Sequence, residues 1–257
     1  MNFLLEMKES VVNFEFYNIL RKNSYKRVFA YLAILVLVIF SIGSVKTWLI
    51  FDSEINNWKN KFKNEFPEFS MSNGVLNWSG DTVQYLVKEE TTAFLIDINK
   101  TISLDEMNTK YQSYMVFYKD QAVIKNDSRL QTIFYKEFSA GIQSNINKKF
   151  IIGFLENLKV YIIFVLIFIF PFIYALKLLN VVVLASIAVL IGKFMNVKFT
   201  WKEYFLISAY SLTLPMLLGL FFDLAGVSFH WLIFWLISLV YVVMALRAYR
   251  PEETGIL

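Results

Sequence analysis

Cysteine is absent from this chain, histidine occurs once, and proline only four times in 257 residues. The lack of cysteine excludes disulfides, iron–sulfur clusters, thiol catalysis and thiolate-bound zinc. The single histidine, His230, falls short of the three or four ligands a zinc centre needs, so no metal site is expected. There is no Gly-rich phosphate loop, no HExxH pattern and no Ser/His/Asp set. The sequence therefore offers no catalytic residues and no cofactor-binding residues, and the expectation is that it is not an enzyme. A net charge of +4 is no sign of nucleic-acid binding, because the basic residues either flank apolar runs or are balanced by acids.

Apolar residues are abundant instead: 57% of the chain is hydrophobic and 18% aromatic, a membrane composition. Lys159–Leu246 is almost unbroken apolar sequence, with runs at Val160–Ala175, Val181–Ile191, Phe205–Phe222 and Trp231–Leu246. About 20 apolar residues fit a bilayer core about 30 Å thick. The expected fold class is an α-helical integral membrane bundle of four or five membrane helices with an inserted extracytoplasmic α+β domain. The lipid bilayer is the first partner this implies.

Residues 1–27 form a cytoplasmic segment, amphipathic and then basic. Phe3, Met7, Val11 and Phe14 recur at helical spacing, with Glu6, Lys8 and Glu9 read as lying off that stripe. Arg21, Lys22, Lys26 and Arg27 crowd the start of the first apolar span, residues 28–51. A cleavable signal peptide would have an earlier basic cluster, a shorter apolar stretch and a small-residue cleavage site. The segment reads as an uncleaved anchor in the plasma membrane, N-terminus inside by the positive-inside rule. Lys46 reads as snorkelling to the headgroups, with Trp48 as an interfacial anchor.

Residues 52–150 hold 12 Lys/Arg and 13 Asp/Glu and form the extracytoplasmic domain. Ile55, Trp58, Phe62 and Phe66 continue a helical stripe until Pro67 stops it. Asn73-Gly74 is the preferred pair for a type I′ turn. A two-residue turn there pairs Met71 with Leu76 and Phe69 with Trp78. Thr92–Ile98 reads as a strand with Phe94, Ile96 and Ile98 inward and Asp97 solvated. Ser103-Leu-Asp-Glu106 is a capping-box pattern. Tyr114–Tyr118 and Ala122–Ile124 predict a hairpin around Lys119-Asp120-Gln121, and Leu130, Ile133, Phe134 and Phe138 predict a helix. The sheet is expected to be antiparallel.

Residues 151–250 form the C-terminal bundle, and 251–257 a short tail. A single helix over Lys159–Lys193 gives four crossings and puts Lys193, Lys198, Lys202, Arg247 and Arg250 inside. A turn near Lys177–Asn180 gives five. Charge favours four and hydropathy five, with a lean toward five helical segments. Lys46, Lys177 and Lys193 all read as lying near span ends. The candidate functional positions of the bundle are Tyr210, Ser211, Thr213 and Pro215. Pro171 and Pro215 are candidate kinks.

Asn13-Phe-Glu-Phe-Tyr17, the basic collar, the single span, the Asn-Gly hairpin, Ile96-Asp97 and Ala209-Tyr-Ser-Leu-Thr-Leu-Pro215 occur in this order. This layout resembles the DUF1189 family of Gram-positive membrane proteins over nearly the whole chain, and more distantly the Yip1-like group. The resemblance implies no catalytic residues and no established activity; some members carry a link to maltodextrin utilisation. Two functions are expected. One is a non-enzymatic accessory or sensor protein, its outer domain binding a partner or ligand and its bundle a membrane protein. The other is a transporter or translocating component, with a polar cavity lined by Tyr210, Ser211 and Thr213 near Pro215.

Overall fold

A computed structural model describes residues 2–139 and 146–249; Arg250 and the tail at 251–257 lie outside them. In chain order the elements are α1 (Phe3–Val12), α2 (Tyr17–Leu20), α3 (Tyr25–Asn64), β1 (Phe69–Ser72), β2 (Val75–Trp78), β3 (Val83–Lys88), β4 (Thr92–Asp97), α4 (Leu104–Lys110), β5 (Ser113–Phe117), β6 (Gln121–Asn126), β7 (Arg129–Phe134), α5 (Tyr135–Ser139), β8 (Ile146–Asn147), α6 (Lys148–Phe194), α7 (Trp201–Ser211), α8 (Thr213–Leu224) and α9 (Trp231–Arg247). They form two compact units. The first is Met1–Ile50 with Ile162–Leu257, and the second is Phe51–Tyr161.

The first unit is helical. Three stretches, Tyr25–Asn64, Lys148–Phe194 and Trp201–Leu224, are long and apolar enough to cross a membrane, and Trp231–Arg247 is a shorter apolar helix. The turn expected at Lys177–Asn180 is absent, because α6 runs unbroken from Lys148 to Phe194. Nothing in Lys177–Asn180 breaks a helix: the four residues include no Gly or Pro, and Leu178 and Leu179 are strong helix formers. Lys177 therefore sits in mid-helix, not near a span end as expected.

α7 and α8 meet at Leu212. Pro215 has no N–H to donate to Ser211, so the helix restarts there, with the proline in its first turn where no such donor is needed. Thr200 and Glu203 close a full capping box on α7. Gly192 of α6 faces the Tyr204 ring so closely that an added Cβ would stand 2.7 Å from its Cζ.

The second unit has a three-stranded sheet, order β2-β1-β8, and a five-stranded one, order β3-β4-β5-β6-β7. The hairpin register is Phe69 with Trp78 and Met71 with Leu76, as the turn chemistry predicts. Asn73 and Gly74 both take the positive φ that a type I′ turn requires. α3 ends at Asn64, before Pro67, and the Ser103 side chain accepts from the Glu106 N–H at the start of α4.

Three expectations are corrected. The larger sheet is mixed, because α4 carries the chain across and lays β5 parallel to β4. Residues 129–134 are strand β7, paired with β6 around a turn in which Asp127 has φ +50; only Tyr135–Ser139 is helical, and the side chain of Phe138 lies outside the described set. Asp97 is not solvated but fully buried.

The burial of Asp97 has a local cause. Its carboxylate accepts from the N–H groups of Thr101 (2.9 Å) and Ile102 (2.8 Å), closing the turn after β4. Both faces of β4 are covered. Ala93 and Leu95 join a core with Met107, Tyr111 and Val116, while Phe94 and Ile96 line an apolar cleft with residues of the hairpin. Asp97→Ala strips two backbone donors of their acceptor and is expected to cost about 2–3 kcal/mol; Asp97→Asn, which keeps one oxygen acceptor, should cost less. Thermal unfolding of the purified protein, followed by near-UV circular dichroism, measures both.

Candidate functional site

The first unit has two features of functional interest, a buried polar cluster and a cavity. The cluster is built by the N-terminal segment. α1 packs Phe3 and Met7 against the helical core, and Glu6 and Ser10 are buried beside them. Glu6 is 2% exposed and forms an ion pair with Arg27. Its second oxygen accepts from the Tyr210 hydroxyl at 3.3 Å, and the Asn23 amide donates to that hydroxyl at 3.0 Å. The Tyr31 and Thr213 hydroxyls bond at 2.7 Å, and the Tyr31 and Tyr210 rings lie 4.6 Å apart.

Further contacts tie the same segment down. Tyr17 donates to the Ser10 carbonyl at 2.8 Å, and burial pushes its hydroxyl well above the usual tyrosine range. Asn18 donates to the Ala248 carbonyl at 3.0 Å, and Tyr241 to the Val11 carbonyl at 2.8 Å. Arg21 forms an ion pair with Glu203 and lies over the Phe199 and Tyr249 rings at 4.8 and 5.0 Å. Arg21 and Arg27 of the collar are thus bound within the unit.

Of the positions singled out in sequence, Tyr210, Ser211 and Thr213 belong to this cluster or pack beside it. All three are buried. Ser211 donates to the Ile207 carbonyl at 2.9 Å and Thr213 to that of Tyr210 at 2.7 Å. None of the three borders the open space of about 570 Å³ between α3, α6, α8 and α9. Pro215 does. The cavity's polar side chains are Ser44, Thr47, Lys177, Asn180 and Asp223, and Phe40, Phe229, Phe234 and Trp235 supply aromatic wall. Asp223 is bonded to Lys46, 3.1 Å from its Nζ. His230 caps α9, its Nδ1 accepting from the Leu232 N–H at 3.3 Å, and makes no metal cluster with other residues among those described.

In the second unit, the cleft between the sheets is about 180 Å³, and every residue lining it is apolar, Phe69, Met71, Leu76, Phe94 and Ile96 among them. Near it, Lys159 pairs with Asp52 and bonds Asn56 at 2.8 Å, and Lys59 pairs with Glu156. These contacts fasten α3 to α6 within that unit.

Sequence reasoning missed Glu6, Asn23 and Lys177. A signal for Glu6 was present. At 100° per residue, Ser10 falls about 20° from Phe3 and Glu6 about 60° from it, so both lie within the breadth of an apolar stripe. Lys177 needed only the continuity of α6.

The sequence profile of DUF1189, a protein family of unknown function, matches residues 5–246. The chain belongs to the DUF1189 family. The match spans the polar cluster, the cavity and the whole second unit, so all three lie within the family's own extent. No curated protein and no solved structure matches the chain.

Removing Arg27 leaves the buried Glu6 carboxylate without its countercharge, so Arg27→Met is expected to cost about 3–5 kcal/mol; Glu6→Ala leaves a partly exposed guanidinium and should cost less. Glu6→Leu and Arg27→Met combined should be less destabilising than their summed single effects by more than about 1 kcal/mol. A double-mutant cycle on thermal unfolding in neutral detergent reads both values.

Proposed function

We propose that the protein is a non-enzymatic integral membrane accessory or sensor protein of a bacterial plasma membrane. Its second unit lies outside the cytoplasm and binds a partner or ligand, and its helical unit associates with another membrane protein. The observation that carries this reading is the continuity of α3 and α6. Each is unbroken over the boundary between the two units, and the Lys159–Asp52 and Lys59–Glu156 pairs hold them together on one side of it. A helix transmits displacement along its axis where a loop would absorb it. Binding at the second unit then has a physical route to the membrane helices.

The same helices support a topology of four crossings. With α6 unbroken, three long apolar helices and α9 make four crossings. The contact of Asn18 with Ala248 supports an even number in all, and that of Arg21 with Glu203 an even number before α7. Four crossings gather Lys193, Lys198, Lys202 and Arg247 on the side of the N-terminal collar, as the positive-inside rule prefers.

The cavity beside Pro215 favours a second reading, a transporter or translocating component. Its wall is mostly aromatic and aliphatic. Ser44, Thr47, Lys177, Asn180 and Asp223 are its polar groups, and none of them marks a maltodextrin substrate.

The absence of native cysteine makes the topology directly testable. Asn77→Cys should react with an impermeant maleimide on intact cells, and Lys198→Cys should react only after lysis. Reaction of both on intact cells would overturn the four-crossing arrangement. For function, gentle purification from native membranes should yield a stoichiometric membrane protein. Recovery of the chain alone, with transport activity in vesicles, would replace the accessory reading with the second one.

A further inference from the structure

Lys177 poses a problem that the polar cluster does not. It lies 18 residues after Lys159 and 16 before Lys193 (177 − 159 and 193 − 177), with no other charge between them. At 1.5 Å per residue that is about 27 Å of helix on one side and about 24 Å on the other. On the membrane reading proposed above, on which this inference rests, the lysine is deep in apolar surroundings. It is half-buried, and its Nζ stands 4.8 Å over the Phe234 ring. Among the described residues no carboxylate pairs with it. A cation there without a counter-ion is expensive, and such residues mark ligand or ion sites.

Its surroundings show what would complete it. The Ser44 hydroxyl borders the same cavity and is buried with no hydrogen-bond partner. Asn180, one helical turn on from Lys177, is also there, and no side-chain hydrogen bond to it exists among the described residues. The cavity's one acid, Asp223, is bonded to Lys46, which leaves Lys177 as uncompensated positive charge. The rest of the wall is apolar, with Phe229, Phe234 and Trp235 prominent. The space is real at both glycines of the wall. A Cβ at Gly43 would meet nothing within 4 Å, and one at Gly219 would meet only Phe229, at 3.6 Å. A volume of about 570 Å³ lies within the range of small-molecule sites, about 300–1,000 Å³.

We infer that this cavity binds an anionic amphiphile, with its phosphate or carboxylate on Lys177, Ser44 and Asn180 and its hydrocarbon against the aromatic wall. Lys177 donates charge-assisted hydrogen bonds to the anion, and Ser44 and Asn180 supply donors that nothing else uses. Two sources share this chemistry, a phospholipid of the surrounding bilayer and a soluble fatty acid.

Native mass spectrometry of the purified full-length protein, exposed to phosphatidylglycerol, phosphatidylcholine or oleate, tests the inference. Wild-type protein should retain one anionic molecule at least tenfold better than phosphatidylcholine. Preference for phosphatidylglycerol would name the bilayer as source, and preference for oleate a soluble acid. Lys177→Gln should lose at least tenfold of that retention. It should melt no lower than wild type in neutral detergent without added anion, since it removes an unpaired charge. Gly43→Phe, which places a ring in the cavity and leaves the lysine in the sequence, should lower retention at least tenfold and carries the test if Lys177→Gln fails to fold. Equal retention by wild type and either variant would overturn the proposal, as would equal retention of phosphatidylcholine. The maleimide topology experiment is independent of this one, so a failed membrane reading is distinguishable from a failed ligand site.

Discussion

A carboxylate removed from water must find a countercharge and hydrogen bonds, or it will not stay ionised in the fold. Glu6 meets that requirement with Arg27 and Tyr210, and much of the helical unit is arranged to let it. Arg27 opens α3, Tyr210 lies near the end of α7, and Asn23 sits in the link between α2 and α3. Satisfying one buried acid therefore fixes the N-terminal helix against α3 and α7. Arg21 with Glu203, Asn18 with Ala248 and Tyr241 with Val11 add to the same seam. The N-terminal segment is a structural part of the unit rather than a charged leader beside it.

The helical unit is unevenly packed as a result. Tyr204 to Thr213 are all buried, and so are Leu184, Ala185 and Ala188 of α6, all near the polar seam. Elsewhere α3 and α6 present Leu49, Ile50, Phe164 and Phe168 to their surroundings, as lipid-facing helices do. The cavity lies in that looser portion. Close packing at one end and open space at the other divide the labour within the unit, with the seam holding the helices and the gap between them admitting a ligand.

Local chemistry was the most legible part of the sequence. Asn73-Gly74 dictated both φ signs and hence the register from Phe69 to Trp78, because a two-residue turn leaves no other pairing. Pro67 and Ser103 marked a helix end and a helix start for equally local reasons. What escaped depended on partners distant in sequence. The place of Asp97 is set by the turn that follows it and by the hairpin that covers the other face of β4. Residues 129–134 have apolar side chains that suit either period, and pairing with β6 decides for strand. The four bundle positions were chosen for polarity beside a proline. Only Pro215 reaches the cavity, because Tyr31 and Glu6 take the hydrogen bonds of Thr213 and Tyr210. Lys177 was misplaced through an assumed turn, since hydropathy alone does not limit how far a helix may run.

The seam also has a temporal meaning. Glu6 and Arg27 are only 21 residues apart and can pair while most of the chain is still unmade. Tyr210 comes 204 residues after Glu6, and Ala248 comes 230 after Asn18. At about 5–20 residues per second of synthesis, that interval is roughly 10–40 s. During it α1 has its acid neutralised but its apolar face uncovered, lying beside α3 until α7 and α9 arrive. α1 is thus made before α7 and α9 and fully covered only after them.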